Sequence, residues 1–281
     1  MGPPTIPLSL NPGGAYSVGI SVGHRQTDVV LIDFIGQAKV SSTLPVPEQE
    51  ETSNHLALVE TVRRALNNLP KKEINRLTGV GLALPDDRQE LALRPDGMAE
   101  RFETISQEIE EALGIEVYVQ NDITAAAAGE SMFGAAKTLD DYLYFYLGAR
   151  LHHRLVLNHQ IFQSPAQTSK PVGILALEQA LAASELDTTA LWKGDADWPQ
   201  FGNPKDAWIQ TCVDELSASL TAASQFLPVT NVIISSFAPN VICEELAAAL
   251  ESRHPNIAAI PGAPSLSPKA VGAASLPFSS K

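Results

Sequence analysis

Val119-Gln120-Asn121-Asp122-Ile123-Thr124-Ala125-Ala126-Ala127 is the stretch from which the rest of the chain can be read. Residues 116–119 have the apolar, β-branched character of a short strand, and residues 123–132, rich in alanine, read as a helix. Between them stands a polar pair, Asn121 and Asp122, at a strand-to-helix junction. Two roles are open to it. Either residue is a good N-cap, because its side-chain oxygen can accept from the first unpaired helical N–H groups. The pair is also suited to a hydroxylated ligand, the amide fixing its orientation and the carboxylate taking a hydroxyl proton.

Working outward, strands alternate with helices. Residues 16–22, 28–34 and 38–44 read as strands, with a tight turn at Ile35-Gly36-Gln37 and a stop at Pro45 and Pro47. Leu56, Val59, Val62, Leu66 and Leu69 recur at helical spacing until Pro70. A strand at 80–84 follows, then a helix marked by Phe102, Ile105, Ile109 and Leu113 and closed by Gly114. The outline then repeats: strand 142–147, a Gly-led loop at 148–152, strand 153–158 and a turn at His159-Gln160. A strand at 231–235, a helix at 241–250, a strand at 256–260 and a closing helix at 268–276 complete the pattern. The reading is an α/β architecture of two lobes, each a mixed β-sheet flanked by helices. Its expected divisions are an extended lead at 1–14, a first lobe at 15–122 rejoined by the closing helix 268–281, and a second lobe at 123–267. Trp192, Trp198 and Trp208 fall in a Gly- and Pro-containing stretch that reads as a packed irregular segment.

Bulk properties narrow the function classes. The chain has 281 residues, 44% of them apolar, and no apolar run long enough to span a bilayer. The start, Met1-Gly2-Pro3-Pro4, lacks the basic and apolar regions of a secretory signal, so the expected location is the cytoplasm. A formal net charge of −13 opposes contact with phosphate backbones, and no direct nucleic-acid binding is expected. Cys212 and Cys243 read as half-buried thiols. The one dense basic cluster, Arg150, His152, His153 and Arg154, reads as a solvated turn or, alternatively, as a site for an anion such as a sugar phosphate.

The repeated strand–loop–strand unit and the Val119–Ala127 segment together resemble the ROK family, which groups sugar kinases with sugar-responsive repressors on an actin-like, ribonuclease-H-like fold. The resemblance runs from Tyr16 to Ala270-Val271-Gly272-Ala273-Ala274. The lead, Pro4 to Pro12, is similar to the segment after the winged helix-turn-helix of the family's repressors. DNA contact would then belong to another segment or another chain. In the family's kinases the Asn-Asp pair binds the sugar and the Asp is the general base, roles the resemblance carries to Asn121 and Asp122. Gly79-Val80-Gly81-Leu82-Ala83-Leu84-Pro85 is similar to a segment beside the sugar, with Asp86 in place of its final glycine, which makes Gly81 a further candidate. Gly173 to Glu178 resembles a Gly-Cys-Leu-Glu remnant, so Glu178 is either a sugar contact or a solvated helix residue.

The phosphate-binding elements depart from the family's pattern. Asp-x-Gly-Gly-Thr is replaced by Ser21-Val22-Gly23-His24-Arg25, and the second glycine-rich loop by Gly148-Ala149-Arg150-Leu151-His152-His153-Arg154. Where a Gly-Gly follows a strand in the family, this chain has Ser235-Ser236-Phe237. Phosphoryl transfer needs close backbone approach and charge stabilisation at these loops, so neither ATP nor magnesium is expected as a cofactor. The family's zinc module is missing as well: residues 163–170 contain neither Cys nor His. The resemblance implies a non-catalytic sugar-sensing regulatory module, a pseudokinase that forms homodimers and binds a small sugar. The alternative is a sugar kinase acting on a hexose or N-acetylhexosamine with ATP.

Overall fold

The computed structural model describes residues 9–46, 54–85, 98–163, 169–192, 198, 201–263 and 267–279. Two five-stranded mixed sheets organise the chain. In the first, β1 (Tyr16–Val22), β2 (Gln26–Asp33) and β3 (Ala38–Pro45) are an antiparallel meander, and β4 (Leu77–Leu84) and β5 (Val117–Asn121) add in parallel beside β1, giving the order β3-β2-β1-β4-β5. The second is built by the same plan from β6 (Tyr142–Leu147), β7 (Leu151–Leu157), β8 (Gln160–Phe162), β9 (Asn231–Ser236) and β10 (Ala258–Pro261), in the order β10-β9-β6-β7-β8. The repeat seen along the sequence is therefore a repeat of strand order and direction.

Each sheet buries its outer face under its own helices. Val18, Ile20, Val22, Val29 and Leu31 pack with Leu58 and Val62 of α1 (Asn54–Leu66) and with Ile105 and Ile109 of α2 (Ile105–Leu113). In the second sheet, Phe145, Leu147, Val232 and Ile234 meet apolar residues of α4 (Ile174–Ala183), α5 (Asn203–Ser224) and α6 (Asn240–Arg253). β6 is buried at every position, as expected for a central strand covered on both sides. Helix α5 was not legible as one element. It carries Pro204 in its first turn, where a proline is well suited, and Trp208, Ile209, Cys212, Val213, Leu216 and Leu220 form its buried stripe. Of the tryptophans, Trp208 thus belongs to a helix, and Trp192 ends a short 3₁₀ turn, Thr189–Trp192.

Two helices fill the space between the sheets. Helix α3 (Asp122–Met132) lays Ile123, Ala126 and Ala127 on Tyr142, Tyr144 and Tyr146 of the second sheet. Helix α7 (Pro268–Ser279) lays Ala270 and Ala274 on Val30 and Ile32 of the first. Small residues let these surfaces come together. A methyl group added at Gly272 would fall 1.9 Å from Ala125 O, and one at Gly19 would fall 1.9 Å from Ala270 O. Helix α7 is therefore seated directly on bare backbone, and its first turn is delivered to the start of α3.

Candidate functional site

Asn121 closes β5 and caps α3. Its Oδ1 accepts from the N–H groups of Ile123 and Thr124, both at 3.0 Å. The same oxygen accepts from Arg154 Nη2 at 2.6 Å. Arg154 also donates through Nε to Thr124 Oγ1 at 3.1 Å and through Nη1 to His153 O at 2.9 Å. The capping role is thus realised, and β7 of the second sheet is tied to the end of the first sheet through it.

Asp122 is 1% exposed. Its Oδ1 accepts from Ile123 N at 2.8 Å, and its Oδ2 is ion-paired with Lys269 of α7. The Lys269 ammonium also sits 4.6 Å above the centre of the Tyr146 ring, a favourable place for a cation. Lys269 was missed by the sequence reading. Its only local context is the closing helix, and the fold brings it to Asp122 across 147 positions.

Beside Lys269 the two hairpin tips face one another across a cleft lined by Ser21, His24, Asp28, Tyr146, Gly148 and Trp192, among others. The open volume is about 50 Å³. The side chains that fill it come from both lobes: the His24 ring lies 5.7 Å from that of Trp192, which stacks on Phe237 at 5.9 Å. Asp28 is the strand partner of Ser21, so a buried acid stands across the hairpin from the serine at the family's acidic position. Burial pushes the Asp28 carboxyl above its ordinary value, and hydrogen bonds from Thr43, Ser267 and Gln26 oppose that rise.

The remaining sequence candidates fall in different surroundings. Gly81 lies under α7, where an added methyl would meet Ala273 O at 1.8 Å; the glycine serves the approach of helix to strand. Glu178, on α4, accepts from Arg25 at 3.1 Å and from Trp192 Nε1 at 2.9 Å. The expectation of a solvated turn at the basic cluster is corrected. His152 and Arg154 lie in β7 and are 3% and 1% exposed, because the strand sits inside the sheet and alternates its faces. Burial, then Arg154 and Lys170, hold the His153 imidazole below its usual range. His159 is at a turn, as expected, and pairs with Asp140 at 3.0 Å. Asp86, residues 1–8 of the lead and residues 164–168 lie outside the described residues. Among the described residues no group of three His, Cys, Asp or Glu side chains could hold a metal ion, and no helix is long and apolar enough to cross a membrane.

A family profile described as the ROK family matches residues 17–165, more than half of the chain. The chain belongs to the ROK family. It is 22% identical over 176 residues to the xylose repressor of Bacillus subtilis (strain 168), covering 62% of this chain and 45% of the repressor. It is 23% identical over 146 residues to a glucokinase of Streptomyces coelicolor, covering 52% of this chain and 44% of that enzyme. The chain thus spans about half the length of the curated relatives it matches. Among solved structures, a ROK family glucokinase from Streptomyces griseus in complex with glucose and AMPPNP superposes with a TM-score of 0.63 at 16% identity, over 93% of this chain and 99% of that one. A ROK family transcriptional regulator, a homolog of the E. coli MLC protein, gives 0.65 at 14% identity, over 95% and 79%. The fold is that of the ROK sugar kinases, actin-like and ribonuclease-H-like, and the relatives include both repressors and kinases.

Proposed function

We propose that this chain is a non-catalytic, sugar-sensing module of the ROK family that takes a small polyhydroxylated ligand at Asn121 and Asp122. The observation that carries the reading is the Lys269–Asp122 ion pair. A general base needs an oxygen aimed at the hydroxyl it deprotonates. Asp122 instead commits one oxygen to its own helix and the other to an ammonium.

The cleft supports the same reading. An opening of about 50 Å³ is small beside the roughly 300 Å³ at the lower end of ligand pockets. His24, Trp192 and Phe237 line the same small cleft as Gly23 and Gly148, where phosphate oxygens would have to approach backbone. The residues present do not fit a magnesium nucleotide, and residues 173–178 offer no Cys or His for a structural zinc.

For sensing, the ion pair needs only to accept a neighbour. Sugar hydroxyls that accept from the Lys269 ammonium and from the Asn121 amide would add to the network while Asp122 stays paired with the lysine. The resulting shift between states is set by the ligand's differential affinity for them. The relatives named as xylose repressors and glucokinases make aldopentoses and aldohexoses the first ligands to try. With a net charge of −13, DNA contact is assigned to a winged-helix segment or partner outside these residues, and the module itself to a cytoplasmic homodimer. A second reading, an ATP-dependent sugar kinase, is favoured by the retained Asn121-Asp122 pair and by the kinases among the relatives.

The test is a thermal-shift panel of aldopentoses, aldohexoses and N-acetylhexosamines on the wild-type chain and on Asn121→Ala. One sugar class should raise Tm with concentration. The increment should vanish in the variant, whose own baseline falls by the loss of a cap. A panel without any sugar-dependent shift would contradict the proposal.

A further inference from the structure

The tip of the β1–β2 hairpin does more than fill space. Arg25 Nη2 donates to both carboxylate oxygens of Glu178, at 3.1 and 3.3 Å. Its guanidinium lies 5.2 Å from the centre of the Trp192 ring. Trp192 Nε1 donates to the same Glu178 at 2.9 Å, while its ring meets His24 on one side and stacks on Phe237 with an interplanar angle of 20°. Arg25 and His24 belong to the first sheet's hairpin. Glu178, Trp192 and Phe237 follow from α4, the 3₁₀ turn and the end of β9, all elements of the second lobe.

Taken singly, the contacts are weak. The Arg25 side chain is 49% exposed, and an exposed ion pair contributes little. Here one guanidinium serves an ion pair and an aromatic face together, and one carboxylate receives both the arginine and the indole. A planar, always-charged fork suits this dual use, and a flexible ammonium would not reproduce it. The two sheets are already joined at their inner helices through the Arg154–Asn121 bond and the Lys269–Asp122 pair; a second tie at the outer hairpin tip has the makings of a strap across the cleft.

We propose that the chain carries its own tie between the lobes: His24 and Arg25, clamped on Trp192, Glu178 and Phe237, hold the cleft shut without any nucleotide. Entry to the cleft then requires the strap to lift. The proposal stands apart from the identity of the sugar, and its test uses none.

Hydrogen exchange by mass spectrometry and small-angle X-ray scattering on the full chain test it, with wild type, Arg25→Ala, Arg25→Lys and Trp192→Ala. Loss of the guanidinium or the indole should speed exchange at the hairpin tip and just after β9 by about 5- to 10-fold, as expected for a partly desolvated cation–aromatic contact. The radius of gyration should rise, and the centres of β1 and β9 should keep wild-type protection. Arg25→Lys should fall between. Mg-ATP should leave the wild-type scattering unchanged. Wild-type exchange and scattering in Arg25→Ala would overturn the proposal, as would compaction of the wild type by Mg-ATP. If Trp192→Ala loosens the core strands as well, Arg25→Ala, at a half-exposed tip, decides the matter.

Discussion

Replacing Lys269 with methionine removes the cation at the centre of the site, the ion-pair partner of Asp122 and a charge that also acts on Asp28. The substitution keeps an apolar side chain of similar reach and removes the ammonium, which sits over the Tyr146 ring. Asp122, 1% exposed, would then be a buried carboxylate whose remaining hydrogen-bond partner is the N–H of Ile123. Breaking a buried pair from one side costs about 3–5 kcal/mol, since the charge left behind is uncompensated. At roughly 2–4 °C per kcal/mol for a chain of this order of size, Tm should fall by about 6–20 °C. The double variant Lys269→Met/Asp122→Asn removes both charges and retains the bond to Ile123. It should recover to within about 2 kcal/mol of wild type, because neutral replacements of buried pairs are often tolerated. Chemical denaturation of the four proteins at pH 7 gives the coupling. A loss below about 1 kcal/mol for Lys269→Met, or a double variant worse than the single one, would refute the reasoning.

Three further outcomes follow from other parts of the molecule. Asp28 has a folded-state pKa raised by burial above the ordinary 3.8; the native state therefore binds its proton more tightly, and stability is lost as pH rises from that value through the raised one. Asp28→Asn should accordingly raise Tm at neutral pH, with the gain shrinking as pH falls toward 3.8. Gly81→Ala puts a methyl 1.8 Å from Ala273 O and should cost at least about 1–3 kcal/mol in denaturant melts, since α7 would have to lift from the strands. The Cys212 and Cys243 thiols, both pushed up to about 12 by burial, should resist iodoacetamide in the native protein at pH 8 and react within minutes once unfolded.

Much of the fold could be read along the chain because its strands are buried runs with clear stops. β1 and β6 were legible to the residue, and the Gly-led loops and turns recurred in both halves at the same points. Helix α5 escaped because its apolar stripe is diluted by Lys205, Asp206, Gln210, Asp214 and Glu215 on the outer face. The crowding of the loops at Gly23 and Gly148 was visible as lost glycines, but what fills the space was not. Trp192 and Glu178 reach His24 and Arg25 through tertiary packing alone. Likewise Asn121 could be recognised as both cap and ligand candidate, whereas its engagement by Arg154 depends on how β7 lies against α3. A basic cluster reads as solvent-facing on average; only the strand's place inside the sheet buries Arg154.

The central claim is that a chain with the sugar kinases' Asn-Asp pair has its base tied down and its phosphate cleft filled, and so binds sugar without phosphorylating it. Incubating the purified chain with Mg-ATP and each sugar that shifts its Tm, and following ADP, tests this most directly. The account predicts no sugar-dependent ADP above the background of an Asp122→Asn control. Sugar-dependent ADP formation that the Asp122→Asn substitution abolishes would contradict it.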